Sequence, residues 1–428
     1  MTMRTKIQND NVSGNQTLLD QDGTTVLKTL VPGDFVFLDS ACEDEEPPPE
    51  TPDYTPLTSA ISSFDTAHAN DKVPVGGPLE FYSTSSASGG GSGRTFADTT
   101  PKNLVRQHGY VTAFEYVPNA FGLDPNNWKF KMFRPSGTDL VQTGQGAVFT
   151  NTWPVASPPV KLTHNLATPI ACLPGDSAGL WILNGNGVRA ILDGSMRYDS
   201  GDLSTLPAST ESLNYTVDIR PLGPPPFLVM ITDSLGCHGT PFYRPAFDGG
   251  ISGDPTGDLG YKMRELVPTL TYQNMGMGGQ GWAYGASRAP TLAAVTPRFG
   301  VFLLGVNDRA NSWSTIQGHM AAAKAALNSG CTMVVCEIMP DSSASDSEVA
   351  IDRGLNDNME AWCASNGALW VPLREAMGVV RTSTGFFDDL NPIYDANYPG
   401  GPPDGLHHNA AGKAKLAELI LTAVSASL

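Results

Sequence analysis

Long apolar runs are missing from this 428-residue chain. No stretch approaches the roughly 20 apolar residues of a bilayer-crossing helix, so no membrane span is expected. The amino terminus, MTMRTKIQND, has no apolar core of the kind that marks a secretory leader, and the chain reads as soluble. Export by assembly into a virus particle would leave no mark in these residues. Cysteine is scarce: six are too few for a disulfide scaffold in a chain this long, and Cys331 with Cys336 lacks the spacing and neighbours of a zinc site. The thiols are expected to be mostly buried. Positive charge is also short. With 26 Lys and Arg against 43 Asp and Glu, the formal net charge of -17 excludes a partner held mainly by its phosphate backbone, so no nucleic acid is expected. No G-x-x-x-x-G-K-S/T phosphate loop occurs, and no cofactor or metal is expected.

What is present divides into three regions. A chain of this length exceeds one hydrophobic core, and 45 Gly with 34 Pro imply many turns. Residues 1–75 read as an N-terminal extension. Thr24 to Leu38 suggests two short strands turning at Pro32-Gly33-Asp34, and EDEEPPPE, Glu43 to Glu50, follows as a linker whose like charges repel and whose prolines favour extended chain. This region is the candidate for attachment to a larger particle.

Residues 76–223 alternate in short segments. In WKFKMF, Trp128, Phe130 and Met132 fall on one side while Lys129 and Lys131 are expected to face water, the two-residue period of a half-buried strand. YVTAFEYV, PIACL, AGLWIL, VRAIL and NYTVDI continue in that style between turns such as Pro174-Gly175-Asp176, which predicts an antiparallel β-sandwich. Ser83 to Gly93, rich in Ser and Gly, reads as a loop.

Residues 224–428 change rhythm to strand, helix, strand, with FLVMIT, YKMREL, TLTYQN, FGVFLLG, MAAAKAAL, TMVVCEI, VAIDRGLNDNMEAWCA and ALWVPL in turn. Ala410 to Ala426 closes the chain as an amphipathic helix. Apolar strands separated by helices predict a parallel sheet covered on both faces, in an α/β fold that binds ligands at the carboxyl ends of its strands.

Four short motifs in this last region carry chemistry. Ser234 follows the strand FLVMIT in Asp233-Ser234-Leu235-Gly236, so its hydroxyl is expected at the sheet edge where such folds expose their sites. Serine is a weak nucleophile until a base takes its proton. His407 is the candidate base because Asp404 stands three positions before it, able to fix its tautomer and stabilise the imidazolium; the adjacent His408 lacks that spacing. His68, His108, His164, His238 and His319 have no comparable context, although His238 follows Ser234 closely. Asn307, after VFLLG, would bring a side-chain amide to the same edge. A backbone N–H from Gly279, with Gly278 as second choice, would join it in stabilising an oxyanion. Read singly, Met275 to Gly281 is an ordinary glycine-rich loop, read as lacking the G-x-G-x-x-G spacing of a dinucleotide site, and Asn307-Asp308 an ordinary turn.

Taken in order, Ser234 in a DSL block, the N-x-G-x-x-G block of Asn274, Gly276 and Gly279, Asn307 in GxND and His407 in DxxH resemble the SGNH (GDSL) hydrolase family over about the last two hundred residues. That resemblance implies a flavodoxin-like three-layer α/β/α domain and a triad of Ser234, His407 and Asp404. It also implies an oxyanion hole from the Ser234 N–H, Gly279 and Asn307. Two positions depart from the pattern: Thr232 stands where a glycine usually precedes the aspartate, and His408 where proline often follows the histidine. The G-x-S-x-G elbow of α/β-hydrolases is absent around Ser234.

The expected activity is that of a serine esterase acting on an ester substrate, an acetylated carbohydrate by preference. This preference rests on the preceding β-rich region, which resembles carbohydrate-binding and assembly modules in style. A lipase or thioesterase is the alternative within the class, and a virion or adhesin structural protein the alternative outside it. A glycosidase carboxylate pair among Asp388, Asp389 and Asp395 is a weaker reading, since the sequence sets no separation for them.

Overall fold

The structure is a computed structural model. It describes residues 3–8, 16–19, 26–30, 35–40, 52–75, 94–98, 104–116, 126–151, 162–184, 190–191, 196–207, 211–213, 216–217, 219–237, 259–397 and 403–428. The acidic run Glu43 to Glu50, the segment Ser83 to Gly93 and His238 lie outside these residues.

Two compact units emerge, Met1–Asp53 and Tyr54–Leu428. In the first, Met3–Gln8 pairs antiparallel with Phe35–Ser40, and Gln16–Leu19 pairs with Val26–Leu30. Strands do form on either side of Pro32-Gly33-Asp34, but each pairs with an earlier segment instead of with the other.

In the second unit, five strands form the parallel layer: β1 (Leu228–Thr232), β2 (Tyr272–Asn274), β3 (Phe299–Leu303), β4 (Thr332–Cys336) and β5 (Leu369–Val371). Their spatial order is 2-1-3-4-5, the flavodoxin-like order, with Leu228 opposite both Tyr272 and Phe299. Every residue of β1, β2 and β3 is buried, as strands covered on both faces must be. The covering helices fall into two groups. Helix α1 (Thr55–Ala67) and α3 (Leu259–Leu266) both pack on α7 (Ala410–Ala426); α4 (Trp282–Val295) packs on α5 (Trp313–Ala326), which meets α6 (Asp346–Asn366). None of the helices among the described residues is long and apolar enough to cross a membrane.

Helix α1 lies in the segment read from sequence as an extension. Leu57 and Ile61, one turn apart on its inner face, are fully buried in the same core as Phe227, Leu228 and Leu416. Residues 54–67 therefore belong physically to the second unit.

The parallel layer does not end at β2. That strand pairs antiparallel with Gln107–Tyr116, which in turn pairs with Ile219–Gly223 and Leu162–Cys172. A second antiparallel sheet, centred on Asn126–Ser136, Ser177–Asn184 and Arg94–Asp98, faces this extension. Between the two layers lie Phe114, Trp128, Phe130, Met132, Ile170 and Leu180, with the rings of Phe114 and Phe130 stacked at 4.5 Å. Trp128, Phe130 and Met132 thus share the inner face as their alternation requires. Lys131, expected in water, is instead buried: its ammonium pairs with Asp202 at 2.5 Å and donates to the Leu203 carbonyl at 2.6 Å.

Candidate active site

The site forms where β1, β2 and β3 end. Beyond β1 the chain turns at Asp233 into a single helical turn, α2 (Ser234–Cys237), which presents Ser234 at the sheet's carboxyl edge. Asp233 sets that turn, its Oδ1 accepting the Leu235 N–H at 2.9 Å while its own N–H donates to the Leu303 carbonyl at 3.2 Å. Thr232, in the place of a glycine, is fully buried, and its carbonyl accepts the Met277 N–H at 2.9 Å. The glycine loop is thereby held along the end of β1.

The histidine arrives on a strand, β6 (Pro403–His408), which pairs antiparallel with Asp395–Asn397. Gly405 bends it at φ +79°, a left-handed conformation that favours glycine. Its N–H lies 3.1 and 3.2 Å from the two carboxylate oxygens of Asp395, and its carbonyl accepts the Ser342 N–H at 2.8 Å. The strand is pinned from both sides just before His407.

His407 Nε2 lies 2.9 Å from Ser234 Oγ across 173 residues of chain, with each residue only 8% exposed. His408, also buried, is the next residue along the strand, where side chains alternate in direction. Asp404 sits on β6 three residues before His407, and its side chain lies outside those described.

Three further side chains, with two hydrogen bonds each, knit the motifs together. The Asn274 side chain accepts the Gly276 N–H at 2.8 Å and donates to the Gly236 carbonyl at 3.3 Å, joining the glycine loop to α2. Asn307 donates from Nδ2 to the Gln280 carbonyl at 3.1 Å and to Asp233 Oδ2 at 3.3 Å, so its amide reaches both neighbouring motifs. Asp308, only 2% exposed, accepts the Trp282 N–H at 2.9 Å and the Asn311 amide at 2.9 Å. Gly279 is exposed at φ +74° with open space where a Cβ would stand, so what the loop needs there is glycine's backbone conformation. Among the described residues, none accepts the backbone N–H of Ser234 or Gly279.

Burial raises the Asp233 carboxyl to about 7; the Leu235 N–H opposes this and the neighbouring Asp308 carboxylate adds to it. Asp388 bonds Arg353, Arg374 and Thr384, Asp389 bonds Arg381, and Asp395 bonds Gly405. Those three carboxylates hold structure together.

Sequence reasoning passed over Asn274 and Asp308 as bonding groups. Neither left a local signal, and the glycine spacing itself is corrected: Gly276, Gly278 and Gly281 do stand at G-x-G-x-x-G between a strand and a helix, an arrangement able to cradle a pyrophosphate at the helix N-terminus. Here that position is filled from within, because the Asp308 carboxylate lies 2.4 Å from where a Gly281 Cβ would be.

No family model and no curated protein sequence matches the chain. Solved structures similar to it include a GDSL-like lipase from Bacteroides thetaiotaomicron, at 19% identity over 47% of this chain and 88% of that one, with a TM-score of 0.34. TesA is similar at 20% identity over 47% of this chain and 99% of its own, with a TM-score of 0.33. A family two carbohydrate esterase from Cellvibrio japonicus is similar at 12% identity over 83% of this chain and 94% of its own, with a TM-score of 0.35.

Proposed function

We propose that this protein is a serine esterase that works through an acyl-serine intermediate. The observation that carries the reading is the 2.9 Å approach of His407 Nε2 to Ser234 Oγ at the carboxyl edge of a parallel sheet. With the imidazole proton on Nδ1, the serine hydroxyl donates to Nε2, and His407 takes that proton as Ser234 Oγ bonds to the ester carbonyl carbon. The protonated histidine then returns the proton to the leaving alcohol, and water repeats the cycle on the acyl-serine. In this reading Asp404 orients His407, and the oxyanion is met by the Ser234 and Gly279 N–H groups and the Asn307 amide. No cofactor enters.

An O-acetyl ester on a carbohydrate is the substrate we favour. Support comes from the continuity of the sheet: the Asn274 N–H donates to the Arg106 carbonyl at 3.1 Å, which brings the β-rich region up to the rim that carries Ser234. A long polar substrate could bind both regions at once.

The test is hydrolysis of a chromogenic acetyl ester by the unaltered protein and by Ser234→Ala. Loss of turnover in the variant supports the esterase; no turnover in either favours an adhesin or virion role in which the domain only binds. Rates on short against long acyl esters separate an acetylesterase from a lipase or thioesterase, and released acetate from acetylated polysaccharides tests the sugar directly.

A further inference from the structure

We infer that Asp308 is the positioning residue of the oxyanion site, fixing the Gly279 loop relative to the Asn307 amide. The inference rests on the esterase reading and concerns a residue to which that reading gives no part.

Two donors that are to act on one oxygen must hold a fixed separation, yet here they belong to different connections: Gly279 to the loop after β2, Asn307 to the turn after β3. Nothing in the covalent chain sets their distance across 28 residues of sequence. Asp308 does so physically. Its backbone continues directly from Asn307, and its side chain reaches the other loop, where Oδ2 accepts the Trp282 N–H at 2.9 Å. Trp282 opens α4, whose cap residue Gly281 supplies no side-chain bond of its own. The carboxylate therefore acts as the missing cap and sets a negative charge against the helix's positive end.

The fit is close. A Cβ on Gly281 would stand 2.4 Å from both carboxylate oxygens, so the loop backbone lies directly on the Asp308 side chain. The other oxygen is held by Asn311 at 2.9 Å, which fixes the rotation of the carboxylate. Asn307 adds a second stitch in parallel by donating to the Gln280 carbonyl at 3.1 Å. The two N–H groups of that amide go to the Gln280 carbonyl and to Asp233, so meeting an oxyanion draws on one of these bonds. The Asp308 bond is independent of the substrate and persists. Two bonds thus hold the cradle at rest, and the one made by Asp308 does not depend on the amide that would serve the oxyanion.

The carboxylate has no route to the substrate, being 2% exposed and committed to two donors. Its action is geometric, and the signature of a displaced donor is a loss in the transition state without loss of ground-state binding.

Asp308→Asn keeps the shape and leaves one of the two donors facing an NH2 group. Since displacing a donor by about 1 Å costs on the order of 100-fold, the expected loss in kcat for a chromogenic acetyl ester is roughly 10- to 100-fold, with KM changed less than threefold. Affinity for phenylboronic acid, which forms a tetrahedral adduct on the serine, should fall in step with kcat. Asn311→Ala, at an exposed position, frees the carboxylate's rotation without disturbing packing and should lower kcat several-fold at constant KM; it decides the matter if Asp308→Asn fails to fold. Folded variants with wild-type kcat and boronate affinity overturn the inference, as does a loss confined to KM. An inactive unaltered protein sinks the esterase reading and this inference with it. Activity that disappears in Ser234→Ala but survives in Asp308→Asn and Asn311→Ala sinks this inference alone.

Discussion

Replacing Asp233 by asparagine should change how stability depends on pH. Asp233 is 1% exposed at the end of β1, and burial raises its carboxyl from 3.8 to about 7, against the pull of the Leu235 N–H and with the push of Asp308. In the unfolded chain the group titrates near the ordinary value. Between the two values the native state keeps a proton that the unfolded state has lost, so stability falls as pH rises, by about 1.4 kcal/mol per unit. Below pH 4 both states are protonated and the penalty is absent. Over about three units it accumulates to roughly 4 kcal/mol, and it is fully developed above pH 7. The Asp233→Asn variant has no titrating group, and its amide oxygen can still accept from Leu235. Urea unfolding, followed by the fluorescence of the buried Trp282 and Trp362, gives the stability of both proteins between pH 4 and 8. The difference between them should move in the variant's favour by roughly 4 kcal/mol across that range. A difference that stays constant with pH would mean that the Asp233 carboxyl is not raised in the folded state.

Asn307→Ala should lower kcat on an acetyl ester by about 100- to 1,000-fold with little change in KM, because the amide is asked to act on charge present only in the transition state. Gly405→Ala forces a side chain into φ +79° with its Cβ 2.9 Å from Ser342 Cβ; a loss of about 1–3 kcal/mol in urea unfolding and a fall in turnover are both expected, since the bend leads directly to His407. Ser345→Ala removes the capping box of α6, in which Ser345 and Glu348 satisfy each other's backbone N–H groups, and should reduce stability by about 1 kcal/mol while leaving turnover unchanged.

Local pattern carried much of the fold. The runs LVMIT and FGVFL show no alternation of apolar with charged residues, which only strands buried on both faces sustain, and they lie in the centre of the parallel layer. Long-range pairing left no such trace. Nothing in YQN or QHGYVTAFEY states that these segments are neighbours, yet their pairing merges the β-rich and α/β regions into one sheet. Lys131 shows the same limit: its alternation placed it on the outer face, and only the fold reveals that Asp202 and Leu203 cover that face. At the site, Ser234, Asn307 and His407 were legible as reactive types in a recognisable order. Asp308 was not, because a buried carboxylate capping a distant helix looks in sequence like any turn aspartate.

In the proposed reaction Ser234 and His407 form one reacting unit. Acid-quenched mass spectrometry of the protein mixed with p-nitrophenyl acetate tests it most directly. An acetyl group is expected on the peptide containing Ser234, formed with a burst of about one p-nitrophenol per protein and absent from His407→Ala. Turnover with the acetyl group on another residue, or an acetyl-Ser234 that forms as quickly without His407, would contradict it.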